Sequence, residues 1–314
     1  MALWSWPLRL ILFAAGLAAS FLPRRAEMFL GPKLGRLVLA CGGFKLKTVR
    51  ENIARCFPNW TQAERERLIH LNFEHYGILF FEFLHFFSPL PGHYRAYAGR
   101  ISVLEGTEHW KKAISRGKGV IFVSSHLGFW EMSAAAAGLA GMAPTVVTTY
   151  LKPKWLHDKI VAARRSAGVS HAFHPGSVPT VMKALRRGGS AAFMNDQYSR
   201  PPMGLPVPFF GVKVDTLAAV APLALRSGAA VVPVTVHRDA AGLCHVVMEP
   251  EIEFGDALRD AERATAIIAA IVERWVRARP EQWLWIHRRF KNVQEGQSLT
   301  PPQAELKLER TDPQ

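Results

Sequence analysis

The chain is short of acidic residues. It carries 25 Asp and Glu against 39 Lys and Arg in 314 residues, a net charge of +14. A surplus of that size implies an anionic partner: nucleic acid, acidic lipid or an acidic carrier protein. Cysteine is scarce too. Cys41, Cys56 and Cys244 are odd in number and none stands in a C-x-x-C pair, which argues against a disulfide scaffold and a zinc site and for reduced thiols facing a cytoplasm. His70, His75, His85 and His93 cluster along one segment, yet no acidic ligands converge with them in the sequence, so no metal is expected. There is no P-loop, no G-x-G-x-x-G and no G-x-S-x-G elbow, which removes the usual phosphate, dinucleotide and serine-hydrolase readings. Internal repeats and low-complexity stretches are absent as well. No nucleic-acid recognition motif accompanies the basic charge, so nucleic acid is not the expected partner.

Apolar residues are plentiful, at 49% of the chain, enough for one large domain. Residues 2–23 are apolar apart from Arg9. About twenty such residues span a bilayer as a helix, and Trp4 and Trp6 suit an interface. Pro7 and Arg9 equally allow a helix lying on the membrane. The basic residues follow this segment rather than precede it, beginning with Arg24 and Arg25. That order is wrong for a cleaved signal peptide and puts the rest of the chain on the cytoplasmic side. Three parts are thus expected: an anchor over 1–23, a main domain over 24–292 and a loose polar tail over 293–314.

Residues 24–60 read as a basic connecting region. Thr61-Gln62-Ala63-Glu64 is a capping box that opens a helix, and this helix runs into the aromatic-rich stretch 68–87. From residue 119 strands and helices alternate. Strands are expected at 119–125, 145–150, 190–195, 230–237 and 245–254; helices at 129–139, 155–167, 178–187, 216–227 and 260–279. This is the pattern of an α/β fold with a sheet flanked by helices.

The informative segment is Ser124 to Glu131, read S-S-H-L-G-F-W-E. His126 falls at the carboxyl end of a strand, where functional groups of open α/β sheets collect. Gly128 relaxes the turn. Glu131 opens the next helix, and across a strand–turn–helix joint it can reach His126. An imidazole can take the proton of an otherwise weak hydroxyl nucleophile. A carboxylate on its other ring nitrogen fixes the tautomer and stabilises the imidazolium.

This segment resembles the H-x4-D/E motif of glycerolipid acyltransferases, in the glutamate version of the lipid A late acyltransferases. Six further elements are similar and in the same order: Glu51-Asn52 with Phe57-Pro58, Arg164 with Gly168, Asp196-Gln197, the V-P-F-F-G run 207–211 with Thr216, Gly228-Ala229 with Val232-Pro233, and the P-E-Q-W-L-W run 280–285 with the R-R-F-K run 288–291. The likeness spans about residues 50–292. It implies a membrane-anchored acyltransferase of the bacterial inner membrane with its catalytic domain facing the cytoplasm. It implies an acyl carrier protein thioester as donor, an acyl-bearing anionic lipid as acceptor, and no cofactor. Carried over, His126 is the base and Glu131 its partner. Arg164 holds a phosphate or the developing oxyanion, and Asp196 and Gln197 contact the acceptor or support the site. Gly128 and Arg288 border the substrate. A related acceptor, such as a lysophospholipid or a glycolipid, is the alternative. Residues 150–158, with Lys152, Lys154 and Trp155, depart from the more neutral segment the resemblance leads one to expect.

Overall fold

The computed structural model describes residues 5–293. Five helices come first: α1 (Ser5–Phe21), α2 (Arg24–Ala40), α3 (Leu46–Cys56), α4 (Gln62–Leu84) and α5 (His93–Ile101). Then follow β1 (Ser102–Glu105), α6 (Thr107–Ile114), β2 (Val120–Ser124), α7 (Glu131–Leu139), β3 (Pro144–Thr149), α8 (Lys154–Ser166), β4 (Ser170–His174), α9 (Ser177–Arg186) and β5 (Ser190–Met194). The chain continues through β6 (Gly204–Phe209), β7 (Val212–Leu217), α10 (Val220–Ser227), β8 (Ala230–Arg238), β9 (Cys244–Met248) and α11 (Ala261–Ala278).

Seven strands form one mixed sheet in the order β1-β9-β8-β2-β5-β3-β4. β8, β2, β5, β3 and β4 run parallel, and β9 turns back antiparallel on β8. Every residue of β2 is buried, as expected of a central parallel strand covered on both faces. The expected sheet flanked by helices is therefore present. β6 and β7 make a separate hairpin that packs against α11. The helix expected over 216–227 is divided: Thr216 and Leu217 end β7, and the helix begins only at Val220.

The capping box at Thr61 forms as read, with Glu64 N donating to Thr61 Oγ1 and Thr61 N donating to Glu64 Oε2. Residues 24–60 differ from the expected connecting region, because they hold α2 and α3. α2 contains Gly31, Pro32 and Gly35, poor helix formers on local propensity. What forms it is packing on α4. A side chain at Gly35 would lie 1.9 Å from the Phe73 carbonyl oxygen, and one at Gly77 would lie 1.9 Å from that of Gly31. Only glycine allows the two backbones this close.

Behind that crossing lies a buried ionic network. Arg24 bonds Glu27 at 2.6 Å and Glu82 at 2.5 Å, and Arg238 also pairs with Glu82 and contacts His75. Glu27 accepts from Tyr97 at 3.0 Å and stands 2.9 Å from His85. An acidic residue thus does meet the histidine segment, contrary to the sequence reading. Among the described residues, however, no three His, Cys, Asp or Glu side chains are grouped as metal ligands.

The N-terminal membrane helix needs correction. Among the described residues no helix is long and apolar enough to cross a membrane. The described part of α1 has 17 residues, about 26 Å at 1.5 Å per residue. Pro23 separates it from α2. Its outer face is nonetheless apolar, with Trp6, Ile11 and Phe21 each more than 60% exposed, and Phe29 on α2 continues it at 61%. The only acidic residue of the two helices, Glu27, is buried. The loose tail expected at the C-terminus falls, beyond Val293, outside the described residues.

Candidate active site

Strand register brings the first two residues together. Ser124 at the end of β2 pairs with Met194 at the end of β5. His126 and Asp196 each lie two residues further on, side by side at the carboxyl edge of the sheet. Asp196 Oδ1 is 2.8 Å from His126 Nδ1, and Asp196 Oδ2 accepts from the His126 backbone N–H at 2.8 Å. Trp283 Nε1 donates to that same Oδ2 at 2.9 Å. Burial alone would push the Asp196 carboxyl up; the His126 ring and the N–H donors around it outweigh burial and bring it down to about 2. Asp196 is therefore an anion throughout the neutral range and can only accept. It orients the ring and leaves Nε2 free to take a proton.

The partner of His126 is thus Asp196, not Glu131. Glu131 does begin α7 as expected, but Arg164 of α8 grips it with two parallel bonds, Nε to Oε2 at 2.8 Å and Nη2 to Oε1 at 2.7 Å. Burial works to raise the Glu131 pKa, and Arg164 reverses this and lowers it. The guanidinium that the sequence suggested as an anion-holding group thus has Nε and Nη2 engaged by Glu131. The pair walls the cavity beside His126 rather than acting on the ring nitrogen.

Gly128 meets a backbone requirement. Its φ is +57°, and a side chain there would lie 2.7 Å from the Val236 carbonyl oxygen. Its N–H donates to Gln282 O at 3.0 Å, and Leu284 N–H donates to His126 O at 3.2 Å. The C-terminal P-E-Q-W-L-W segment therefore clamps the turn that carries His126. Asn52 and Asn72 hold that clamp from α3 and α4, Asn52 through Trp285 O and His287 O, Asn72 through Glu281 O and Trp283 O. Arg288 is exposed. Its neighbour Arg289 is the buried one, bonding Gln197 O at 2.8 Å, Asp215 O at 3.0 Å and Thr216 Oγ1 at 2.5 Å, and so it fixes the loop that carries Asp196. Burial draws its own pKa down to about 10.

Gln197 faces the other side of the imidazole, its Nε2 3.3 Å from His126 Nε2. Trp130 meets the ring edge-on at 5.1 Å. A cavity of about 300 Å³ opens here. His126, Gln197, Glu131 and Arg164 border it, and it runs between α7 and the sheet past Ala134, Ala137, Val146 and Phe193. Trp283 and Arg289 were legible in the sequence only as core or cationic surface. Their contacts with the Asp196 loop depend on the fold of the whole chain.

A histidine–aspartate dyad at a parallel-sheet edge, open to a largely apolar cavity, is an arrangement that can activate a hydroxyl. The chain belongs to the bacterial lipid A biosynthesis acyltransferase family, whose model matches residues 5–292. It is 29% identical over 271 residues to the lipid A biosynthesis lauroyltransferase of Escherichia coli K12, covering 85% of this chain and 86% of that one. To the lipid A biosynthesis palmitoleoyltransferase of the same organism it is 29% identical over 282 residues, covering 88% and 89%. A phosphatidylinositol mannoside acyltransferase of Mycobacterium tuberculosis is 26% identical over 188 residues, 59% of each chain.

Proposed function

We propose that this acyltransferase moves a fatty acyl chain from an acyl carrier protein thioester to a hydroxyl of a lipid A precursor, with His126 as general base and Asp196 as its orienting partner. The single observation that carries the reading is the Asp196 carboxylate held 2.8 Å from His126 Nδ1 while Nε2 faces the cavity. The acceptor hydroxyl gives its proton to Nε2 as its oxygen bonds to the thioester carbon. The tetrahedral intermediate then expels the thiolate, which receives that proton from Nε2. The ester and a free thiol result, and the imidazole returns to its starting state.

The apolar cavity suits the acyl chain, and a net charge of +14 favours encounter with an acidic carrier and an anionic acceptor. The names of the relatives support the choice of acceptor. The working location in this reading is the cytoplasmic face of a bacterial inner membrane, reached through the apolar, cation-edged outer face of α1 and α2 rather than through a spanning segment.

The test is an acyl-transfer assay with a labelled acyl carrier protein thioester and a panel of acceptors: a lipid A precursor, lysophospholipids and a mannosylated phosphatidylinositol. Transfer to the lipid A precursor, lost in His126→Ala, is the expected result. Transfer only to another acceptor would keep the chemistry and replace the substrate. Equal activity in His126→Ala would remove the mechanism.

A further inference from the structure

Resting on that reading, we infer that Gln197 is the hydrogen-bond donor to the oxyanion that forms during acyl transfer. The argument begins with the tautomer of His126. Asp196 is ionised and has no proton to give, so His126 Nδ1 must donate to it at 2.8 Å. Nε2 then carries a lone pair and no hydrogen. The group 3.3 Å from that lone pair is the amide end of Gln197, and the contact is favourable only if the side-chain NH₂ points at the ring. The orientation of the glutamine is therefore set by Asp196, two bonds away through the imidazole. Its backbone is set by Arg289, which donates to Gln197 O at 2.8 Å. A fixed donor thus waits at the atom where the acceptor hydroxyl must arrive.

Productive binding displaces this contact. The hydroxyl has to donate its own hydrogen to Nε2, so the Gln197 NH₂ loses its acceptor at that moment. The C–O bond forms and the carbonyl oxygen becomes an anion, a strong acceptor beside the one the amide has just lost. The orphaned donor and the new acceptor match. When the C–S bond breaks, the electron pair returns to the carbonyl, the thiolate takes the proton from Nε2, and Gln197 closes on the ring again. The nearest charged donor on the cavity wall, Arg164, has Nε and Nη2 engaged by Glu131, and the Gly128 N–H beside the ring is engaged by Gln282 O.

The experiment compares wild type with Gln197→Leu and Gln197→Glu, the second isosteric so that packing is kept. The donor is the acyl carrier protein thioester, used as such and with its C=O replaced by C=S, sulfur being a poor hydrogen-bond acceptor. Both variants should lose about 10²–10³ in kcat with both KM values near wild type. Wild type should slow sharply on the sulfur donor, whereas Gln197→Leu should show little further loss. A glutamine that merely positioned the ring would instead move the pH at which activity is lost. Variants within a few-fold of wild type, or a Gln197→Leu penalised by sulfur as strongly as wild type, overturn the assignment. A wild type no faster than His126→Ala overturns the underlying reading, and this inference falls with it; normal wild-type transfer with intact variants overturns only the role of Gln197.

Discussion

Asp196 holds His126 at two points, the ring through Nδ1 and the chain through its backbone N–H, both at 2.8 Å. The double grip fixes side chain and turn together, so removing it should affect orientation more than folding. Asp196→Asn, which keeps the shape but can favour the wrong tautomer, should lower kcat by about 10³–10⁴ and leave the far-UV spectrum unchanged. The double variant with His126→Ala should be no slower than His126→Ala alone, since the two act as one unit. A loss under ten-fold for Asp196→Asn would return the partner role to another group.

Why the sequence pointed to Glu131 instead is a matter of range. Glu131 is five residues from His126 and sits in the same motif. Asp196 is seventy residues away and meets His126 only through the register of β2 against β5. Register is a property of the sheet, not of either strand. The strand–turn–helix at 119–139 was legible because a buried apolar run ends at a histidine and a positive-φ glycine. The two N-terminal helices were less so. α2 carries two glycines and a proline, and the glycines are explained only by its close packing on α4. The sequence reading expects no strands over residues 204–217, where Pro206 and Pro208 disfavour an interior strand. Both face outward on a two-stranded ribbon, where no ladder bond is lost.

The Glu131–Arg164 pair should act first on stability. Glu131→Ala leaves a guanidinium buried without its partner, which costs about 3–5 kcal/mol, read as a lower unfolding midpoint in denaturant. The pH dependence has a definite sign. The folded pKa of Glu131 lies below its ordinary value of 4.5, so its stabilising contribution is complete above that pH and is lost as pH falls through the folded value. The stability gap between wild type and Glu131→Gln should therefore be constant near neutrality and narrow below about pH 4.5. A gap that widened in acid would contradict the assignment of the pair.

The helix crossing gives a test of packing. Gly35→Ala forces a methyl onto the Phe73 carbonyl, and Gly77→Ala forces one onto that of Gly31. Overpacking of this kind costs about 1–3 kcal/mol, more when backbone must move. Each variant should melt at a lower temperature. Gly42→Ala, where no atom lies within 4 Å of the added carbon, should lose only what its positive φ demands. Equal melting of Gly35→Ala and wild type would mean that α2 does not pack on α4 in solution.

Ala134 and Ala137 present small side chains to the cavity. Replacing Ala137 by Leu should shorten the accessible space and move the preference among acyl donors towards shorter chains, with little change in the rate for the shortest. Competition between donors of different length in one reaction, read by mass spectrometry of the product, measures this directly. An unchanged preference would show that the chain runs elsewhere.

Attachment to the membrane can be separated into an apolar and an electrostatic part. On α1 and α2 the exposed groups are either apolar, as Trp6, Ile11, Phe21 and Phe29 are, or cationic, as Arg9, Arg25 and Lys33 are. Replacing the four apolar residues by Ser should weaken binding to neutral and anionic vesicles alike, because it removes burial in the acyl boundary. Replacing the three cations by Gln should leave neutral vesicles unaffected and lower anionic binding by about 1 kcal/mol per charge, an effect that fades in high salt. Co-flotation with phosphatidylcholine and phosphatidylglycerol vesicles distinguishes the two sets. Binding unaffected by both would mean that neither helix is the contact and that another part of the chain carries the attachment.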